Sequence, residues 1–177
     1  MKKIITVLAF LFVGSICFGQ IKYNDPVIID TSYVIDSTYL ADARLAIEEY
    51  NDAYKAWLIN HNNAVMKIID EAEIAMQNFA TNPLLYGGDS GSSTKTFYKS
   101  YLEVQKLLDK CVSKQPPNKY AKTHKYTVSC IKEFKTSLKY YYTGSKNLDA
   151  NSIETGGIHL EQACLYLKLT LSEVLSQ

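Results

Sequence analysis

Apolar and aromatic side chains recur at steps of three and four residues through most of the chain after residue 36, which is the spacing of one face of an α-helix. The last segment is the most regular, with Ile153, Gly157, Leu160, Cys164, Leu167, Leu171 and Val174 on one face. Three earlier segments show the same pattern, at Leu40, Ala43, Ile47, Tyr50, Tyr54, Trp57, His61, Ala64, Ile68, Ala72, Ala75 and Phe79, then at Phe97, Tyr101, Val104, Leu108 and Cys111, then at Tyr120, His124, Thr127, Ile131, Phe134, Leu138 and Tyr141. The chain therefore predicts an all-α fold.

Turn-forming stretches separate these segments. They are the Gly- and Ser-rich loop that begins at residues 81–83 ("TNP"), the "KQPPNK" stretch at 114–119, and "TGSKNLDANS" at 143–152. The first segment is unusually long, and its low helix propensity at His61-Asn62-Asn63 predicts a bend there. Since the later connections are short, residues 36–177 predict an up-down antiparallel four-helix bundle with one long first helix.

The N-terminus has the layout of a secretory signal peptide. Two lysines precede an apolar run at residues 4–13, which is too short to span a membrane and is followed by small residues. We expect cleavage after Gly19, so that residues 1–19 are the signal peptide and the mature protein is periplasmic or extracellular. Lipid anchoring at Cys17 is the less favoured alternative, because the branched Ile16 would occupy the position before the cut. Residues 20–35, with Pro26 and several β-branched residues, predict an extended N-terminal arm.

Charge is unevenly distributed along a chain whose net charge is only +1. Residues 95–146 carry twelve lysines but only Glu103, Asp109 and Glu133, whereas the segments on either side are net acidic. Two interpretations stay open: neighbouring helices of opposite sign complement each other, or the lysines form a patch for an acidic partner. Because a single Arg accompanies eighteen lysines, and Arg is the residue suited to bidentate phosphate recognition, we expect no nucleic-acid partner.

No recognisable catalytic or cofactor-binding arrangement is present in the sequence. Gly88-Asp89-Ser90-Gly91 resembles the nucleophile motif of trypsin-like proteases, but that motif requires a β-barrel fold to supply its histidine and aspartate. In the predicted bundle the three histidines differ in height by about 15 Å or more, too far for shared metal ligands. We therefore expect no catalytic, metal-binding or cofactor-binding residues, and no enzyme activity.

After removal of Cys17, three cysteines remain, and an oxidising compartment would allow two of them to pair. Cys130 and Cys164 lie about thirteen residues from the same end of two antiparallel helices, which places them at one height. Cys111 is offset from Cys130 by roughly 12 Å. The sequence thus predicts that any disulfide is Cys130–Cys164; the alternative is that all three are small apolar residues of the core.

The chain is also rich in tyrosine, and Tyr140, Tyr141 and Tyr142 are consecutive near a helix end. Consecutive helical residues point in directions about 100° apart, so the three rings cannot all enter one core. Together with Tyr86 in the loop and the lysines of the third helix, they are the candidate contacts for a partner: Tyr86, Lys132, Lys135, Lys139, Tyr140, Tyr141 and Tyr142. We expect a protein that binds another protein or an envelope component, the alternative being a carrier of a small apolar ligand between the helices.

Overall fold

The computed structural model describes residues 37–176, so the predicted signal peptide and N-terminal arm lie outside the described residues. The described part is all-helical, and none of its residues is in a β-strand. Its α-helices are α1 (Ser37–Thr81), α2 (Pro83–Tyr86), α3 (Ser92–Ser113), α4 (Ala121–Asn147) and α5 (Ala150–Ser176), with a 3₁₀ turn at Asn118–Tyr120 before α4. The predicted all-α class is confirmed.

The chain divides into two compact units, residues 1–48 and 49–177. The structure describes only Ser37–Glu48 of the first unit, which are the first turns of α1. In this stretch Leu45 and Ile47 are exposed. The second unit contains the rest of α1 and all later helices, and the description below concerns this unit.

The core of the second unit is built from one face of each long helix. Antiparallel pairing of α3 with α1 is fixed at both ends, because Ser93 Oγ donates a hydrogen bond to the Ala75 carbonyl (2.7 Å) and Tyr50 Oη donates one to the Gln115 carbonyl (3.0 Å). Large side chains that are almost fully buried fill the space between the helices; they include Leu58, Val65, Phe97, Val104, Ile131, Phe134 and Leu138. Packing of these amphipathic faces supplies most of the stability of such helices.

The helix α1 is not interrupted at His61–Asn63, where low propensity predicts a bend. Both His61 and Asn62 are buried there. Packing of this stretch against the bundle outweighs its weak intrinsic preference for the helix, which is worth only a few tenths of a kcal/mol per residue.

Two predicted turns contain more helix than the sequence pattern suggests. In the loop after α1, Pro83 occupies the first position of the short helix α2, and the Asn82 side chain accepts a hydrogen bond from the Leu85 amide. The predicted turn at 143–152 is reduced to Leu148 and Asp149, and α4 continues to Asn147. Leu148 has a left-handed backbone (φ 54°) that ends α4, a conformation rare for residues other than glycine.

The buried face of α5 agrees with the predicted one at Leu167 and Val174, and Ile153 and Leu160 also pack against the core, but the rest of the face is displaced around the helix. The residues that face the core are Gly156, Ala163, Leu167, Thr170 and Val174, whereas Gly157 and Cys164 are half-buried and Leu171 is exposed. Small residues at the contact, such as Gly156, allow α5 to lie close to α4. The predicted faces of α3 and α4 agree with the structure at Phe97, Val104, Phe134 and Leu138.

Among the described residues, no helix is both long enough and apolar enough to span a lipid bilayer.

Candidate interaction surface

The four candidate tyrosines occupy different environments. Tyr141 is buried beside the Phe97 ring, and burial raises its pKa to about 12, so we leave it out of the candidate surface. Tyr140 is half-buried and stacks on the His159 ring of α5, with centroids 5.5 Å apart. Tyr142 is half-buried on the opposite side, against Tyr98 of α3. Tyr86 is half-buried in α2. The three consecutive rings therefore point to three different places and do not form one aromatic surface.

A row of lysines runs along the outer side of α4. Lys125, Lys132 and Lys139 are all exposed, and their seven-residue spacing places them on the same side of the helix, with a rise of about 10.5 Å between neighbours. Each directly precedes a residue that contacts α5: Tyr126 meets Tyr166, and Glu133 and Tyr140 meet His159. The row therefore lies beside the seam between α4 and α5. We call Lys125, Lys132 and Lys139 the lysine row.

The lysine row has no acidic partner among residues 37–176. Other lysines of α4 are paired: Lys122 with Glu173, and Lys146 with Asp89 at 3.0 Å. The carboxylate next to Lys132 is that of Glu133, and it accepts instead from His159 Nδ1 at 2.7 Å. The three exposed positive charges are consequently left without compensation along this edge of α4.

The remaining predicted lysine, Lys135, lies elsewhere. Its Nζ sits over the ring of Tyr101, 5.3 Å from the ring centroid, and so faces α3. Lys135 therefore lies on the flank of α4 that faces α3, about 60° around the helix from the lysine row.

A row of exposed apolar side chains lies on α5, on the other side of the same seam. Ile158 is 61% exposed, Leu165 52% and Leu169 43%, and their spacing of seven and four residues places them on one side of α5. Ile158 and Leu165 directly precede His159 and Tyr166, the residues that contact α4. These contacts place Ile158 near the height of Lys132 and Leu165 near the height of Lys125. We call the two rows together the α4–α5 face.

The sequence analysis identified Lys132 and Lys139 but missed Lys125 and the apolar row. Lys125 was detectable, since it continues the seven-residue recurrence of Lys132 and Lys139. The apolar row was also detectable, since Ile158, Leu165 and Leu169 lie outside the face of the last segment that the sequence assigns to the core.

A second basic region is a groove between α1 and α3 with a volume of about 330 Å³. It is lined by Lys67, Lys99, Lys106 and Lys110, by Glu71 and Glu103, and by Ala64, Ile68 and Leu107. Here part of the charge is neutralised, because Lys99 Nζ lies 3.3 Å from Glu71 and 3.8 Å from Glu103. This pairing between α1 and α3 is the charge complementation between helices that the sequence allows. Lys122 and Glu173 make such a pair between α4 and α5, but among the described residues the three lysines of the lysine row have no ion pair.

The described residues hold no group of three His, Cys, Asp or Glu side chains that could bind a metal ion. The histidines are nevertheless closer in height than predicted. Tyr54 Oη lies 2.6 Å from His124 Nδ1, so His124 lies near the height of Tyr54. Tyr54 is seven residues from His61 on α1, which is about 10 Å along the helix and less than the predicted 15 Å.

The three cysteines are free thiols in the structure. Burial raises the pKa of Cys111 and of Cys130 to about 12, which keeps both protonated at neutral pH and unreactive as nucleophiles. Cys164 is half-buried, and both it and Cys111 add to the effect of burial in raising the pKa of Cys130. The Cys130–Cys164 bridge stays a prediction, which mass spectrometry after blocking of free thiols tests.

Two histidines, His61, which is buried, and His124, which is half-buried, predict that acid destabilises the fold. Burial lowers the pKa of His61, and so do the charges of Lys110 and His124. A hydrogen bond with the Leu107 backbone raises this pKa and opposes them in part. Burial also lowers the pKa of His124. Because the unfolded chain then binds protons more readily than the folded one, the stability present above about pH 6.5 falls as the pH is lowered toward the folded-state pKa values.

The measurement is urea denaturation followed by circular dichroism between about pH 7.5 and about pH 5.5. His61→Phe keeps a ring against Trp57, whose centroid lies 4.8 Å from that of His61, and removes a buried Nε2 that has no hydrogen-bond partner in the described part of the chain. We expect this variant to lose roughly half of the pH dependence, since His124 still titrates. An unchanged pH dependence would contradict the assignment.

Comparison with protein-family models, with curated proteins and with solved structures finds no significant match for this chain.

Proposed function

We propose that this chain is an exported, non-enzymatic protein that binds another protein or a component of the cell envelope, and that its long helices form an up-down antiparallel four-helix bundle behind a signal peptide. The observation that carries the proposal is the lysine row, Lys125, Lys132 and Lys139, which is exposed and has no acidic partner among the described residues. Positive charge that a fold leaves uncompensated along one edge attracts an acidic partner.

Three features support binding in preference to catalysis. The buried thiols of Cys111 and Cys130 are held protonated. The described residues hold no cluster of metal ligands. The groove between α1 and α3 is lined by four lysines and two glutamates beside three apolar residues, whereas a carrier of an apolar molecule needs a deep and mainly apolar pocket.

The proposal is tested by affinity capture from envelope extract of the source cells, with mass-spectrometric identification of bound proteins and lipids. The bait variant is Lys125→Gln/Lys132→Gln/Lys139→Gln. Three lost charge contacts of about 0.5 kcal/mol each predict a roughly tenfold loss of the identified component.

The matched control is Lys67→Gln/Lys106→Gln/Lys110→Gln, which removes the same charge from the groove between α1 and α3. We expect the control to retain the component that the wild-type protein captures. Equal capture by both triple variants would remove the lysine row from the proposal. Capture of no protein or envelope component, together with a co-purifying small apolar molecule, would overturn the proposal in favour of the carrier.

A further inference from the structure

Resting on the proposed function, we propose that the α4–α5 face is the docking site for an acidic amphipathic α-helix of a partner protein. The two rows flank a shallow seam between antiparallel helices, with Lys125, Lys132 and Lys139 on one side and Ile158, Leu165 and Leu169 on the other. Neighbouring helix axes in such pairs are about 8–10 Å apart, which leaves a groove into which a third helix packs.

The spacing of the rows matches the repeat of a helix. Lysines recur every seven residues along α4, and Ile158 and Leu165 are also seven residues apart on α5. A docked helix with acidic residues every seven positions on one flank and apolar residues on the other would meet both rows along its length. The lysine row spans fourteen residues, about 21 Å, so the contact requires about four turns of helix.

An anionic membrane fits this face less well. Interfacial segments place their basic residues on the polar side that borders an apolar surface, and the apolar part enters the acyl boundary. Here all three lysines lie on one side of the seam and the apolar residues on the other. In addition, the exposed carboxylates of Glu154 and Glu161 lie beside Ile158 on α5, so anionic headgroups would repel this side of the helix.

A glycan is disfavoured by the aromatic contacts at the seam. Binding of sugars at bundle surfaces relies on exposed ring faces. Tyr140 is stacked on His159, with an angle of 8° between the rings, and Tyr126 packs against Tyr166. These rings are engaged within the fold.

A second copy of this chain is disfavoured by symmetry. In a two-fold symmetric contact the same face meets itself. With the axis along the seam, each lysine row would meet the apolar row of the other copy, and with the axis across the seam, lysine would meet lysine. Neither arrangement pairs the charges, so the complementary partner is a different, acidic chain.

The test uses synthetic peptides of about 18 residues, long enough to cover the lysine row. The first has Glu at seven-residue intervals on one flank and Leu on the adjacent flank; the second has Lys in place of each Glu; the third is a scramble of the first. Binding of fluorescein-labelled peptide to the purified full chain is measured by anisotropy. We expect the acidic amphipathic peptide to bind at least tenfold more tightly than the other two.

The variants then locate the site. The lysine-row triple variant is expected to weaken binding of the acidic peptide at least tenfold, and Ile158→Ser/Leu165→Ser about fivefold, while the control triple in the groove between α1 and α3 changes it less than twofold. All these side chains are exposed, so the folds should be retained, which circular dichroism and Tm check.

Several results would overturn the inference. These are equal binding of the scrambled peptide, equal weakening by both lysine triples, tighter row-dependent binding to vesicles of phosphatidylglycerol than to the peptide, or self-association that the row variant abolishes. If the envelope capture depends on the lysine row but the acidic peptide does not bind, the helix-docking inference fails while the proposed function stands. If the envelope capture yields no component, the proposed function itself fails.

Discussion

Replacing Phe97 with alanine is expected to lower the free energy of unfolding by about 3–5 kcal/mol. Phe97 lies on α3 with 0% of its surface exposed, and its ring packs 5.5 Å from that of Tyr141, centroid to centroid. Truncation removes apolar contacts and leaves a cavity that helices held at several other contacts cannot close. Urea denaturation monitored by circular dichroism measures the loss.

The neighbouring residue provides the control. Tyr98 directly follows Phe97 on the same helix, is 48% exposed and contacts the half-buried Tyr142. Tyr98→Ala should therefore cost less than about 1 kcal/mol, since surface changes away from special features have small effects. Losses of equal size in the two variants would show that Phe97 is not in the core described above.

The second large effect is expected from a pair of adjacent glycines on α5. A methyl group at Gly156 would lie 2.5 Å from Tyr141 Cδ1, 2.6 Å from Tyr141 Cε1 and 3.2 Å from the Ser137 carbonyl oxygen. A buried ring and the backbone of α4 cannot both yield, so overpacking costs about 1–3 kcal/mol and exceeds the helix-propensity gain of up to about 1 kcal/mol. We expect Gly156→Ala to lower the Tm.

Gly157→Ala is the matched control, because it makes the same chemical change one residue later in the same helix. The nearest atom to a methyl group there is Tyr141 Oη, at 3.9 Å. With no clash, the reduced entropy of the unfolded chain should raise the Tm, corresponding to about 0.4–1 kcal/mol. Thermal unfolding of both variants measures the difference, and a shift of the same sign in both would contradict the described contact between α4 and α5.

Much of the helical framework is readable from the sequence. The end of α1 at Thr81 follows from the proline at residue 83, and the buried face of α3 follows from the spacing of Phe97, Val104, Leu108 and Cys111. These features depend on local geometry, in which three- and four-residue steps place large apolar residues on one side of a helix.

The turn between α4 and α5 was not predictable from composition. Gly144 and Ser145 read as loop residues, yet both are buried inside α4. A methyl group on Gly144 would lie 2.8 Å from Ile153 Cδ1, and Ser145 accepts a hydrogen bond from Thr94 Oγ1. Small residues that mark turns in an isolated segment here permit close packing between helices.

What the sequence determined by itself is the helical class and most of the apolar faces, because these arise from interactions between residues a few positions apart. Only the tertiary structure decided which side of α5 faces α4, because that choice depends on how closely two helix backbones approach. Small residues such as Gly156 and Ala163 lie in the contact, because they let the two backbones come close, whereas Leu171 of the predicted face is exposed.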